Sequence, residues 1–252
     1  MSVPATMREW LREGPFGLGM SSGFFGFFAH AGVLAVLEDE GLLPVRASGS
    51  SAGALVLGAW AAGLGADALG RELGSLRREE FWDPRPGPGL LRGRLFRDRL
   101  RAMLPERSFA RCRIPLAVSV YDVLARRTRV LEAGDVVTAV AASCAVPLLF
   151  HPVWIDGRPF VDGGVADRPG LAGMPADARV LFHHLSSRSP WRRRGAPSLE
   201  IPRRPGLVAL VVEDLPRVGP FRLAAGRAAF DRARAATRTA LDRPVQAGIV
   251  RV

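Results

Sequence analysis

Short apolar runs alternate with amphipathic stretches along most of the chain. Runs of strand length predict strands at 16–20, 44–48, 114–122, 127–131, 180–184 and 207–212. Apolar residues spaced three and four apart predict helices at 30–40, 52–63, 64–80, 136–143 and 220–242. Strands that alternate with helices in this way indicate an α/β protein with a mostly parallel central sheet covered on both faces.

Capping and turn residues mark the ends of several of these elements. Gly41 stands where a helix C-terminal cap belongs, and Asp135 is an N-cap for the short helix that runs through Ser143. Asp156-Gly157 separates two apolar runs and predicts a tight β-hairpin turn. The proline-rich segment 81–93 predicts a loop, and the segment 186–205, rich in Arg, Pro and Ser, predicts a basic surface loop.

Length and composition fit a single domain over 1–252. The chain is 48% hydrophobic, which is enough for the core of one α/β domain. Its net charge of +11 comes entirely from arginine, because the sequence contains no lysine. This bias is typical of a GC-rich coding sequence, so we expect no nucleic-acid partner. Arginines at 192–194 and along 220–242 instead favour peripheral contact with an anionic membrane surface.

The sequence predicts no metal site, cofactor or membrane span. Its two cysteines, Cys112 and Cys144, are too few for a disulfide framework or a cysteine metal cluster. Residues 1–15 lack the pattern of a signal peptide, and the longest apolar run, 52–64, is too short and too rich in glycine to cross a bilayer. The expected location is the cytoplasm.

A candidate nucleophile lies in the segment Gly49-Ser50-Ser51-Ala52-Gly53. This G-x-S-x-G pattern follows a predicted strand and precedes a predicted helix, which is the context of a nucleophile elbow. Glycines two before and two after Ser51 allow the backbone to fold back on itself, and the helix that begins at Ala52 directs its N-terminal amides towards the same point. The alternative is a Gly/Ser turn that caps a buried helix.

Ser51 needs a base, and the sequence offers two. The order Ser51, Asp162, His183 matches a hydrolase triad. The early position of Ser51 argues against it, because only one or two strands precede the elbow, and His183 is more simply the end of a strand. Asp162 alone is the better candidate: it follows an apolar strand and precedes Gly163 and Gly164, which permit close approach. A second hairpin turn is the alternative for Asp162.

Three blocks together resemble the patatin-like phospholipase family. They are a loop and helix, SSGFFGFFAHAGVLAVLEDEG, the elbow GSSAG, and the segment AASCAVPLLFHPVWIDGRPFVDGG. The family has a glycine-rich oxyanion loop, a G-x-S-x-G elbow and an Asp-Gly-Gly segment in this order. The match extends over about residues 16–170.

The resemblance implies a three-layer α/β sandwich and a lipid acyl hydrolase with a Ser51–Asp162 dyad. It also implies an oxyanion hole formed by backbone N–H groups of Gly23 and Phe24, with Ala52 as a further donor. Implied motif positions are Gly26, Gly49, Gly53, Gly163 and Gly164. Ser21, Ser22 and Phe25 depart from the family pattern, which has glycines at the first two positions and commonly Arg or Lys at the third.

Substrate and surface roles are left open by the sequence. The resemblance implies a lipid ester: a phospholipid, a lysophospholipid or a glyceride. The segment with Phe81, Trp82, Leu90, Leu91 and Phe96 is either an apolar lip or a loop packed on the core. The 220–242 helix, with Phe221, Leu223, Phe230 and Leu241, either lies on a membrane or covers the domain. The altered glycine loop motivates the alternative of a catalytically weak lipid- or partner-binding protein, and an acyltransferase would use the same dyad.

Overall fold

The computed structural model describes residues 4–186 and 199–252. Arg192–Arg194 and most of the predicted basic loop lie outside these residues. The described helices are α1 (Met7–Arg12), α2 (Phe27–Asp39), α3 (Ala52–Ala61), α4 (Ala66–Gly74), α5 (Arg94–Met103), α6 (Val136–Ser143) and α7 (Ala225–Leu241). The described strands are β1 (Gly17–Met20), β2 (Arg46–Ser50), β3 (Gly89–Leu91), β4 (Leu116–Asp122), β5 (Arg127–Leu131), β6 (Leu148–Phe150), β7 (Val153–Ile155), β8 (Arg158–Asp162), β9 (Val180–His184), β10 (Leu207–Val211) and β11 (Ile249–Arg251).

Nine of the described strands form one central sheet. Their order is β11-β10-β9-β1-β2-β4-β8-β7. β2 and β8 pair with successive parts of one edge of β4, and β5 pairs with its opposite edge. The first six strands of this order are parallel, whereas β5, β7 and β8 join antiparallel. This confirms the predicted α/β class with a mostly parallel sheet. β3 and β6 form a separate two-stranded sheet.

The two faces of the sheet are covered differently. Leu181 and Leu210 face the large core formed with the helices, which includes α3, a helix whose ten residues are all buried. Val180 and Phe182 face a second, smaller cluster, to which Met174 contributes. Strands buried on both faces need a continuous apolar sequence, which β10 shows throughout and β9 shows over 180–182. Segments around 171–178 therefore supply part of the third layer.

The C-terminal helix α7 covers the domain. Alanines on one of its faces are buried, and it packs so closely on α2 that a Cβ added to Gly32 would lie 2.4 Å from the Phe230 carbonyl oxygen. Arg234 and Arg238 both donate to Asp39. These contacts match the covering role among the two that the sequence left open. No helix in the described parts of the chain is long and apolar enough to cross a bilayer.

Most predicted elements are confirmed, and the misses are short or strongly charged. β5 and β9 have the predicted bounds, Asp135 caps α6 by accepting from Thr138 N, and Gly41 follows α2 with a φ of 64°. α2 begins three residues earlier than predicted, and α7 begins at Ala225, five residues later than predicted, so Phe221 and Leu223 precede it. The helix predicted over 64–80 ends at Gly74, because the chain there turns towards a short 3-10 segment. α1, α5, β3, β6 and β11 were not predicted.

Candidate active site

Ser51 occupies a strained turn between β2 and α3. Its φ of 51° and ψ of −116° lie outside the regions that non-glycine residues normally adopt. A Cβ on Gly49 would lie 2.7 Å from the carbonyl carbon of Gly53, and a Cβ on Gly53 would lie 2.1 Å from the carbonyl oxygen of Met20. The two glycines of the G-x-S-x-G segment therefore permit this turn to form.

Asp162 lies within hydrogen-bond distance of Ser51. The Ser51 Oγ donates to Asp162 Oδ2 at 2.6 Å, and the N–H of Gly164 donates to Asp162 Oδ1 at 2.7 Å. The aspartate is 6% exposed. One carboxylate oxygen is thus held by the backbone, and the other accepts a hydrogen bond from the Ser51 hydroxyl.

The strand pairing of β4 explains how Ser51 and Asp162, which are far apart in the sequence, come together. Along one edge of β4, β2 pairs with 116–119 in parallel and ends with Ser50 opposite Ser119. β8 continues along the same edge in the opposite direction, and its last residue, Asp162, lies opposite Val120. The carboxyl ends of β2 and β8 therefore meet, and Ser51, the residue after Ser50, comes to lie beside Asp162.

The glycines after Asp162 make room for this junction. A Cβ on Gly163 would lie 2.0 Å from the Ser119 carbonyl oxygen, and one on Gly164 would lie 2.3 Å from Ser22 Oγ. Asp162 is therefore not part of a second hairpin turn. Asp156-Gly157 does form the predicted tight turn between β7 and β8, with φ values of 48° and 72°.

Ser143, which sequence reasoning missed as a site residue, holds the elbow from behind. Its Oγ accepts from the N–H of Ser51 at 2.8 Å and donates to the carbonyl of Ser119 at 2.7 Å. Cys144 Sγ donates to the Ser51 carbonyl at 3.3 Å, and burial, with a smaller effect of Asp162, raises the pKa of this thiol well above its usual value. The backbone N–H of Ser51 is thus already occupied.

The loop after β1 forms a tight turn next to the elbow. Gly26 N donates to the Gly23 carbonyl at 2.9 Å, and Phe25 adopts a φ of 55°. The N–H groups of Gly23, Phe24 and Ala52 donate to no other atom of the described residues. A Cβ on Gly23 or on Gly26 would lie within 2.5 Å of a methyl carbon of the buried Leu185 side chain. The backbone donors expected from the resemblance therefore have no acceptor within the described residues.

Ser21 and Ser22, the departures from the glycine pattern, have structural partners. The Ser21 carbonyl accepts from His30 Nε2 at 2.8 Å, and the Ser22 N–H donates to the Arg168 carbonyl at 2.8 Å. Ser21 Oγ accepts from the N–H of Leu185 at 3.0 Å. The peptide between the two serines is held at both ends, and this fixes where the next amides lie.

The histidine triad proposed as an alternative does not form. His183 Nδ1 lies 2.8 Å from His30 Nδ1 and makes no hydrogen bond to Ser51 or Asp162. Because His30 Nε2 donates to Ser21, its Nδ1 must accept, so His183 donates. Burial lowers the pKa of His30 to about 4 and that of His183 well below its usual value. Both rings are therefore neutral, and they support the loop rather than the serine.

An apolar cavity of about 1170 Å³ opens at Ser51 and Asp162. Phe81, which is 6% exposed, and Leu91, which is fully buried, line it from the segment whose role the sequence left open. That segment both packs on the core and walls the cavity. The other large apolar lining residues include Phe24, Phe25, Phe27, Leu55, Leu73, Trp82, Phe96, Leu100, Met103, Leu148, Leu149 and Phe150. The described residues contain no group of three or more metal-ligating side chains.

Comparison with known proteins gives a family match. A sequence profile of the family described as patatin-like phospholipase matches residues 18–174. Uncharacterized NTE family proteins of Mycobacterium bovis and Mycobacterium tuberculosis are 31% identical over 188 residues, which are 71% of this chain and 52% of theirs. The chain thus spans about half the length of these curated relatives.

Solved structures similar to this chain include VipD and ExoU. VipD from Legionella pneumophila has a TM-score of 0.43 at 14% identity, covering 79% of this chain and 50% of its own. The type III effector protein ExoU has a TM-score of 0.48 at 16% identity, covering 90% of this chain and 52% of its own.

Proposed function

The chain belongs to the patatin-like phospholipase family, and we propose that it is a serine acyl hydrolase that cleaves lipid esters through Ser51 and Asp162. The observation that carries the proposal is the 2.6 Å hydrogen bond between these two side chains, on a strained turn at the wall of an apolar cavity. The core cluster, which contains side chains from Met7 to Val250, supports one domain over 1–252.

The first half-reaction acylates Ser51. Asp162 takes the hydroxyl proton while Ser51 Oγ attacks the ester carbonyl. The N–H groups of Gly23 and Phe24, with Ala52 at the N-terminus of α3, hold the oxyanion. Collapse of the tetrahedral intermediate breaks the ester bond, and the leaving alcohol takes the proton from Asp162. The products are an alcohol and an acyl-enzyme.

Water completes the cycle. Asp162 takes a proton from a water molecule, which attacks the acyl-enzyme carbonyl; the second tetrahedral intermediate collapses and Ser51 recovers its proton as the fatty acid leaves. The Gly164 N–H on the second carboxylate oxygen keeps Asp162 aimed at the serine through both steps. Acyl transfer to another alcohol would use the same groups with that alcohol in place of water.

The apolar lining supports an acyl lipid as substrate, whether phospholipid, lysophospholipid or glyceride. Among the charged residues of the lining, Arg99 and Glu72 neutralise each other in an ion pair of 2.6 Å. A cavity with mostly apolar walls and few polar groups near the nucleophile suits a chain with one reactive ester.

Ester hydrolysis by serine variants tests the proposal. Wild type should release fatty acid from lysophosphatidylcholine and from p-nitrophenyl butyrate, and Ser51→Ala should lose more than about 10³-fold in kcat/KM. Ser50→Ala is the matched control, because Ser50 Oγ is buried next to the elbow and has no hydrogen-bond partner among the described residues. Equal activity in wild type and Ser51→Ala would overturn the proposal. Product that forms only with an added alcohol acceptor would favour transfer, and a folded wild type that binds lipid without turnover would favour the catalytically weak alternative.

A further inference from the structure

Large exposed apolar side chains collect around the opening of the cavity. Phe24 and Leu148 line the cavity and are also 41% and 76% exposed, so they border its opening. Phe221 is 70% exposed, and its ring lies 5.6 Å from that of Trp82, a cavity-wall residue. Leu90 is 52% exposed on β3, which pairs with β6 beside Leu148. We call Phe24, Leu90, Leu148 and Phe221 the apolar rim.

The backbone conformation and exposure of Leu148 indicate that its side chain does not stabilise the fold. Its φ of 67° lies in the left-handed region, where glycine is favoured and a branched side chain is strained. The side chain is nevertheless mostly in water, so it gains little from burial within the chain. Strain without burial points to contact with something outside the protein.

Arginines accompany the apolar rim. Arg217 lines the cavity and is exposed, and Arg222 follows Phe221 directly. Neither takes part in an ion pair among the described residues. The Arg78 guanidinium lies 5.2 Å from the centroid of the Phe221 ring, although it also lies 3.8 Å from Glu79. Exposed apolar side chains with cationic neighbours fit a surface that has an apolar interior beneath a negatively charged outer layer.

We infer that the apolar rim docks on a lipid bilayer that contains anionic phospholipids, with the cavity opening pressed against the membrane. The inference rests on the proposed function, since a lipid ester could then enter the cavity without crossing water. The net charge of +11 favours the same anionic surface. α7, the basic helix that the sequence offered for membrane contact, instead ties Arg234 and Arg238 to Asp39 and faces the core.

Vesicle binding tests the apolar rim directly. All proteins carry Ser51→Ala, which prevents lipid breakdown, and are floated with vesicles of phosphatidylcholine alone or with an equal part of phosphatidylglycerol. The rim variant is Leu90→Ser with Phe221→Ser, because these two rim side chains do not line the cavity. The control is Leu43→Ser with Val45→Ser, which are 52% and 54% exposed and precede β2 at the opposite end of the sheet.

We expect the rim variant to bind anionic vesicles at least about tenfold more weakly than its parent, and the control to bind as the parent does. Arg217→Gln with Arg222→Gln should weaken binding to anionic vesicles in particular, whereas the distant exposed pair Arg12→Gln with Arg203→Gln should matter less. Equal binding by rim and control variants, or no preference for anionic vesicles in the parent, would overturn the inference. So would a parent that binds neither kind of vesicle.

Hydrolysis of p-nitrophenyl butyrate, which is dissolved in water, separates this inference from the proposed function. With Ser51 restored, the rim variant should hydrolyse this ester at the wild-type rate and lose activity only on vesicle lipid. Vesicle binding without ester hydrolysis in wild type would overturn the proposed function alone. Hydrolysis of the soluble ester together with unchanged vesicle hydrolysis by the rim variant would overturn the docking surface alone. Phe221→Ser by itself serves if the double variant fails to fold.

Discussion

Acid should weaken the fold through the buried His30, and the size of the effect follows from its surroundings. Burial lowers the pKa of His30 from 6.5 to about 4. As the pH falls below 6.5, the unfolded chain takes up a proton that the folded chain does not accept until about pH 4. Each pH unit in this window lowers the free energy of unfolding by about 1.4 kcal/mol, or about 3 kcal/mol in all.

His30→Gln isolates this contribution, because glutamine keeps an N–H donor for the Ser21 carbonyl but does not titrate. Urea unfolding of both proteins at several pH values should show a free energy that falls more steeply in wild type, by about 1.4 kcal/mol per pH unit between the two pKa values. Leu34→Val, a buried change in the same helix, should lower stability equally at every pH. Parallel pH profiles for wild type and His30→Gln would refute the reasoning.

Three further substitutions probe the site. Gly163→Ala places a Cβ 2.0 Å from a backbone carbonyl of β4 and should lower the thermal midpoint sharply or prevent folding. The control is Gly74→Ala, which has open space around it and should leave the midpoint unchanged. Similar midpoints for the two variants would contradict the close packing at Gly163. Ser143→Ala removes the hydrogen-bond acceptor of the Ser51 N–H. It should lower kcat about tenfold and the free energy of unfolding in urea by about 1–3 kcal/mol. An unchanged kcat would exclude a role of Ser143 in holding the turn. Asp162→Asn should lower kcat by at least about 10²-fold while Asp156→Asn keeps the wild-type rate; normal turnover by Asp162→Asn would remove Asp162 as the base.

Elements with a long, regular pattern could be predicted from sequence, and those set by tertiary contacts could not. β9 begins with the apolar residues Val180, Leu181 and Phe182, and α6 has an N-cap, so local signals marked both. β3 and β6 have three residues each and form a two-stranded sheet with each other, so this sheet depends on a partner far along the chain. α5 carries four arginines among its ten residues, and that density hid its apolar side.

The candidate site shows the same division. Ser51 and Asp162 could be singled out because glycines beside them signal close backbone approach, and the structure places the two side chains together. Ser143 and His30 act through buried contacts with backbone that the sequence does not place near them. The signal that could have found both is a polar side chain in an otherwise apolar helix, since buried polar groups need partners.

Labelling with a fluorophosphonate probe, read by peptide mass spectrometry, tests the central claim most directly. An activated Ser51 attacks the phosphorus and releases fluoride, so wild type should carry the adduct on the peptide containing Ser51. Ser51→Ala should carry none, and Asp162→Asn should label far more slowly. Folded wild type without an adduct, or an adduct that persists in Ser51→Ala, would contradict the account.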